Sequence, residues 1–181
     1  MLTHCRAVAP GAAFVVGRAE AIPFAGNTFD LITAAGSLNY ADLDRFLPEA
    51  ARVLSADGVL VVYDFSAARR FADAPELDAW FDAFETRYPF PPGYALDVQG
   101  LPYGRFGLRL DAHEPFEVSL PMTRDAYLRY AMSETNVEQA IGSAAPEHDI
   151  RAWCAQTLSA FFAEGRRDIV FTGYVAYVRR S

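Results

Sequence analysis

The 181 residues are 52% hydrophobic and 22% charged, the proportions of an ordinary globular protein long enough for one domain with a substantial core. A formal net charge of -7 argues against nucleic-acid phosphate as the principal partner, because backbone binding wants a basic surface. All 16 cationic side chains are arginine, which excludes a P-loop lysine and lysine Schiff-base chemistry.

Cys5 and Cys154 are the only cysteines and lie far apart, so no disulfide framework is expected and a reducing cytoplasm is the default. No apolar run reaches the roughly 20 residues of a membrane span, and "MLTHCRAVAP" lacks the apolar stretch of a signal peptide. The expectation is a soluble cytoplasmic protein with no membrane partner. "MLTHCRA" reads as a short helix stopped at Ala9 to Gly11, and "AAFVVG" as a short buried strand. "RAEAIPFAGNT" is a loop with turn chemistry at Pro23, Gly26 and Asn27. "FDLITAAG" is a strand apolar enough for a parallel sheet covered on both faces, and it ends in small residues. Small residues at that end let a ligand approach the backbone, and ligands sit at the carboxyl ends of strands in open α/β sheets.

Asp42 is placed to cap a helix over "LDRFLPEAARVL", where Pro48 predicts a break or kink. "SADG" should end that helix at Gly58, and "VLVVYDF" is the next strand, closing a βαβ unit. Beyond it "ELDAWFDAFETRYPF" is an amphipathic helix whose aromatics suit core or lid packing, and residues 89–104 form a Pro- and Gly-rich loop. "FEVSLPMT" alternates like a strand, helices follow near 123–132 and 148–164, and "DIVFTGYVAYVRR" is the final strand with Ile169, Phe171, Gly173, Val175 and Tyr177 on one face. The region from Ala67 to Gly165 is then a mixed insertion between two sheet strands, in a position that suits a substrate cap.

Val15 to Phe65, "VVGRAEAIPFAGNTFDLITAAGSLNYADLDRFLPEAARVLSADGVLVVYDF", resembles class I S-adenosylmethionine-dependent methyltransferases of the methyltransferase-11 type. The likeness rests on order and spacing: Gly17, Ala19, Glu20, Pro23 and Phe24, then Phe29 and Asp30, then Arg52, Val53, Leu54 and Gly58. "YAMSETNV", "DIRAWC" and "FTGYVAYVRR" are more weakly similar to the trans-aconitate methyltransferase-like subgroup. The resemblance implies an α/β Rossmann-like sheet with S-adenosylmethionine as cofactor and a small-molecule acceptor, for which a carboxylate is one candidate. It implies that Ala19 and Glu20 lie against the adenine, that Ile22 covers an adenine face, and that Ala34 and Ala35 clear the methionine part. Arg18 departs from the acidic residue many relatives carry there.

No glycine-rich loop precedes "AAFVV", and no acidic residue ends an earlier strand. The sheet is therefore expected to lack its first two strands, with residues 1–66 as a partial cofactor core, 67–165 as the cap and 166–181 as the final strand, in a single domain. Unpaired strand edges would follow, and with them a possible homodimer. Whether the chain is itself an enzyme is left open; the rival is a truncated non-catalytic remnant or partner-binding module.

Methyl transfer from an activated sulfonium needs mainly alignment, so no catalytic constellation is expected and no catalytic residue is assigned. Asn39 and Tyr40, just past the bare strand end, are candidates to lie near the acceptor, with helix capping as the equal alternative. Tyr130, Ser133 and Asn136, with Tyr127 and Thr135, form a polar-aromatic stretch that suits an acceptor pocket or plain core packing. Arg124 and Arg129 suit a carboxylate or a solvated helix face. Asp64 suits the active-site edge or a loop. His4, His113 and His148 lack metal-ligand spacing, and no metal site is expected.

Overall fold

The computed structural model describes residues 2–65, 68–162 and 165–181. Met1 of the expected first helix, the 66/67 boundary of the expected cap and the last two residues of the expected 148–164 helix lie outside these. The elements run α1 (Leu2–Val8), β1 (Phe29–Ala35), α2 (Leu43–Val53), β2 (Leu54–Phe65), β3 (Arg70–Phe71), α3 (Leu77–Arg87), β4 (Leu108–Thr123), α4 (Arg124–Ala131), α5 (Thr135–Gly142), α6 (Glu147–Leu158) and β5 (Arg166–Arg180). No described helix is long and apolar enough to cross a membrane.

β1 and β2 pair in parallel across the α2 crossover, as the βαβ pattern predicts, with Ile32 opposite Leu60 and Ala34 opposite Val62. β5 lies antiparallel to β2 on one side and to β4 on the other, with the short β3 continuing beyond β2 along β5. β4 begins eight residues before the expected "FEVSLPMT" and is a full sheet strand, so the span between β2 and β5 is only partly a cap.

α2 buries Phe46, Leu47, Ala50 and Val53 against the sheet. Pro48, expected to bring a break or a kink, brings no break, and the helix runs through it. An interior proline costs about 3 kcal/mol, and burying three large side chains at about 1.5–3 kcal/mol each outweighs it. Asp42 is the N-cap residue, but its side chain makes no capping bond. The helix ends at Val53, before the expected glycine, because Leu54 already enters the ladder opposite Phe29. Residues 55–58 are instead an excursion within β2, and the register resumes at Leu31 opposite Val59. Gly58 makes that excursion possible, since a Cβ there would stand 2.9 Å from the Phe29 carbonyl oxygen.

The expected strand at Phe14 to Val16 is irregular. Val15 and Val16 are exposed, and among the described residues no ladder takes up their backbone, so a short apolar run alone does not make a strand. β1 is covered on one face only: Ala34 is buried toward α2, whereas Leu31 on the opposite face is 55% exposed.

Two cores share β5. Leu60, Val62, Ala176 and Val178 pack with the α2 side chains and with Leu38, Val98, Tyr103 and Leu108. Ile169 and Phe171 pack with Phe71 and with residues of α3, α4, α5 and α6, including Trp80, Phe81, Phe84, Tyr127, Val137 and Cys154. Side chains of one strand alternate between faces, so odd positions serve the second core and even positions the first. The single apolar face expected along β5 therefore does not hold, because burial passes from Phe171 to Ala176 across the sheet. The aromatics of α3 are core, as expected, with Trp80 stacked on Phe84 at 5.2 Å.

Candidate active site

Past the carboxyl ends of β1 and β2 lie two clefts, one on each side of the Asn39–Tyr40 pair. The first, of about 450 Å³, is lined by Arg18, Ala19, Glu20, Ser37, Tyr40, Ala41, Asp42 and Arg45. The second, of about 550 Å³, lies between the sheet and the helices above it, with Asn39, Asp64, Arg69, Glu85, Tyr94 and Glu134 among its walls and Phe65 and Phe90 as its apolar surfaces. Tyr40 joins the two. Its hydroxyl hydrogen-bonds the Thr135 hydroxyl at 2.9 Å, and Thr135 donates to the Tyr94 hydroxyl at 3.1 Å.

The loop carrying the first cleft is pinned to the end of α2. Arg52 donates twice to the Glu49 carboxylate at 2.7 Å, to the Phe24 carbonyl at 2.8 Å and to the Ile22 carbonyl at 3.0 Å. Glu49 in turn accepts the Ile22 N–H at 2.7 Å. Planar, bidentate arginine suits such a clamp in a way lysine does not. The spacing that carries the family likeness, "AEAIPF" with a later "RVL", thus has a structural meaning: its arginine holds its loop. Glu49 was not singled out in the sequence, although a Glu three residues before Arg52 on one helix face was a legible signal.

Glu20 accepts the Asp42 N–H at 3.0 Å. That bond, together with its own backbone and the cations of Arg18 and Arg45, holds its carboxyl below the usual range. The carboxylate sits at the N-terminal end of α2, where the helix dipole favours an anion. Gly36 follows β1 with φ +49°, and a Cβ on it would stand 3.2 Å from the Asp64 carboxylate. The bare end of β1 therefore gives clearance to Asp64. Burial pushes the Asp64 carboxyl up, partly offset by the Phe65 N–H it accepts at 2.8 Å.

Glu134 is the N-cap residue of α5. Burial pushes its carboxyl up, the neighbouring Glu85 and Asp64 add to the shift, and the Tyr130 hydroxyl opposes it. Arg69 meets the carboxylates of Asp78 and Asp82 and, at 3.3 Å, that of Glu85. The ring of Phe90 stacks on Tyr94 at 4.9 Å, and Tyr40 meets Tyr94 edge-on at 6.3 Å.

Of the sequence candidates, Ala19, Glu20 and Tyr40 line the first cleft and Asn39 the second. Ile22 stands behind the first cleft in the arginine clamp, Ala34 is buried under α2, and Ala35 is exposed opposite Tyr63 in β2. Tyr130 backs the second cleft through Glu134 and accepts the Ala68 N–H at 3.3 Å. Ser133 donates to the Tyr130 carbonyl at 2.7 Å, a local turn contact. Asn136 is fully buried and donates to the Tyr88 carbonyl at 2.7 Å, so its side chain ties α5 to the end of α3. Tyr127 is core, and Arg124 and Arg129 are exposed. Among the described residues no group of His, Cys, Asp and Glu is arranged to hold a metal ion. Glu85, Glu134 and Tyr94 are among the lining residues that sequence reasoning missed. They converge only through the fold, from three separate segments.

Residues 1–62 match the family model of a methyltransferase domain. Over 72 residues the chain is 44% identical to the ubiquinone/menaquinone biosynthesis C-methyltransferase UbiE of Agrobacterium fabrum, covering 39% of this chain and 26% of that protein. Over 121 residues it is 30% identical to the demethylmenaquinone methyltransferase of Thermobifida fusca, covering 55% of this chain and 51% of that protein. The chain thus spans between about a quarter and a half of these curated relatives. Among solved structures, a protein from Anaeromyxobacter dehalogenans assigned as a type II methyltransferase superposes with a TM-score of 0.69 at 24% identity, over 94% of this chain and 72% of that one. A protein from Bacillus halodurans assigned as a methyltransferase superposes with a TM-score of 0.53 at 18% identity, over 98% and 78%. These likenesses agree on the Rossmann-like methyltransferase fold, and none of them supports the trans-aconitate subgroup.

Proposed function

We propose that this chain, which belongs with the class I S-adenosylmethionine-dependent methyltransferases, takes part in methyl transfer from that cofactor to a small molecule. The observation that carries the reading is the pair of clefts meeting at Asn39 and Tyr40, past the carboxyl ends of two parallel strands. Ligands of open α/β sheets bind at that end.

The first cleft fits the adenosine part of the cofactor. Ala19 offers a small, close surface, and Glu20 and Arg18 offer polar groups held by the α2 N-terminus and the arginine clamp. Ala19, Glu20 and the neighbouring Ile22 would hold that part, while Ala34 and Ala35 shape the strand end behind it. When bound, the cofactor supplies an activated sulfonium methyl. The protein's own work is then to position and desolvate the acceptor. Asn39 and Tyr40 separate donor side from acceptor side, and the Tyr40–Thr135–Tyr94 chain fixes that wall to the helices above. Cys154 is buried, and two cysteines so far apart in sequence make no disulfide framework, which goes with a cytoplasmic setting. The quinone-pathway acceptors named for the relatives are not carried over, since those matches cover 39% and 55% of this chain.

Calorimetric titration of the 181-residue chain with S-adenosylhomocysteine tests the reading. Micromolar binding is expected, and Ala19→Trp, which fills the first cleft, should weaken it at least about tenfold. A folded chain that takes up no S-adenosylhomocysteine ends the reading and leaves a non-catalytic, partner-binding module.

A further inference from the structure

The second cleft is unusual in its balance of charge. Three carboxyl groups, on Asp64, Glu85 and Glu134, line it against one guanidinium, that of Arg69. That guanidinium is already committed to Asp78 and Asp82 as well as Glu85, and it lies over the Phe81 ring at 5.1 Å. Among the described residues that line the cleft, no positive charge is left over for a ligand anion. The remaining surface is aromatic: the Phe90–Tyr94 stack on one side and Phe65, more than half exposed, on the other. Aromatic faces attract cations through the ring quadrupole, and the attraction grows when the cation is desolvated.

We propose that the second cleft binds an organic amine in its ammonium form, with the charged nitrogen among Asp64, Glu85 and Glu134 and an apolar body against Phe65, Phe90 and Tyr94. The proposal rests on the methyltransferase reading for its role: the amine is the methyl acceptor. A carboxylate acceptor is disfavoured by the same geometry, because Arg124 and Arg129 are exposed on α4 and Arg69 is occupied. An ammonium nitrogen must lose a proton before its lone pair can act. In that step an N–H bond breaks, its electron pair stays on nitrogen, and a carboxylate oxygen of Asp64 or Glu134 forms the new O–H bond. The upward shift of both carboxyls makes them better proton acceptors than free carboxylates.

Titration of the full chain with 2-phenylethylammonium and with 3-phenylpropanoate, probes of similar size and opposite charge, tests the charge preference by calorimetry. The ammonium should bind at least about tenfold more tightly than the anion. Glu134→Gln and Glu85→Gln should each reduce ammonium affinity by about tenfold and leave anion binding no weaker, with far-ultraviolet circular dichroism showing each variant folded. Equal affinity for the two probes, or ammonium binding indifferent to both substitutions, overturns the proposal. The S-adenosylhomocysteine titration separates the two readings. Cofactor binding without ammonium preference keeps the methyltransferase and ends the amine. Ammonium preference without cofactor binding keeps the specificity of the cleft and ends its role in methyl transfer.

Discussion

Asn136 and Glu134 stand two residues apart, yet burial gives them opposite meanings. Asn136 is fully buried with its amide spent on the Tyr88 carbonyl, so Asn136→Ala strips a buried acceptor of its donor. The expected cost is about 1–3 kcal/mol, read as a fall in Tm of about 2–4 °C per kcal/mol. Ligand affinity should stay the same, because the side chain faces the core. Glu134 faces the cleft, and its raised carboxyl means that the folded chain holds the proton more tightly than the unfolded one. Between the ordinary carboxylate value and the raised folded value, the native state binds more protons. Stability from this group is therefore present at low pH and is lost as pH rises through the folded value. Glu134→Gln removes that loss. In thermal unfolding the variant should melt above the native sequence at about pH 8, with the gap closing toward about pH 4. A variant that melts lower at both pH values would show that the carboxylate is not penalised by its site.

At the scale of elements, α2 and the loop before β1 behave as one unit through Arg52. Asn27 donates to the Arg52 carbonyl at 3.0 Å and Thr28 to the Val53 carbonyl at 2.8 Å, so backbone and guanidinium hold the same loop. Arg52→Lys keeps the charge and loses the fork. Amide exchange at Asn27 and Thr28 should speed up several-fold while the β2 amides keep their protection, as hydrogen-exchange mass spectrometry would show. Unchanged loop exchange would mean that the backbone bonds alone suffice. The βαβ unit was legible because its signal is local: a continuous apolar run, a helical spacing and a second run. The cores above it were less so. Thr135–Gly142 went unseen as a helix because its eight residues offer only Val137 and Asn136 as buried positions and its N-cap is a glutamate. The reach of β4 back to Leu108 was hidden because its stretch of residues 111–117 is set by pairing with β5 and not by alternation. The second cleft was illegible for the same reason: Asp64, Glu85, Tyr94 and Glu134 share no spacing, and only the fold gathers them.

The whole molecule hangs on β5, whose early half closes the helical core and whose later half closes the sheet core on the opposite face. The cleft lies where the two meet, so either core moving against the other would reshape it. Away from that seam, β1 pairs only with β2 among the described residues. Its outer edge carries no proline and no arginine, Leu31 is more than half exposed, and its one charge, Asp30, accepts a bond from Ser55 at 2.6 Å. Natural edge strands are usually guarded by charge, proline or a bulge, and an unguarded apolar edge pairs with another strand. Two copies meeting edge to edge about a twofold axis would satisfy both β1 edges at once. The 181-residue chain is therefore expected to dimerise at micromolar concentration in sedimentation equilibrium, and Leu31→Arg, which sets a charge on that edge, should return it to monomer. A chain that stays monomeric rules the edge out as an interface. So does a dimer indifferent to Leu31→Arg, which would place the contact elsewhere.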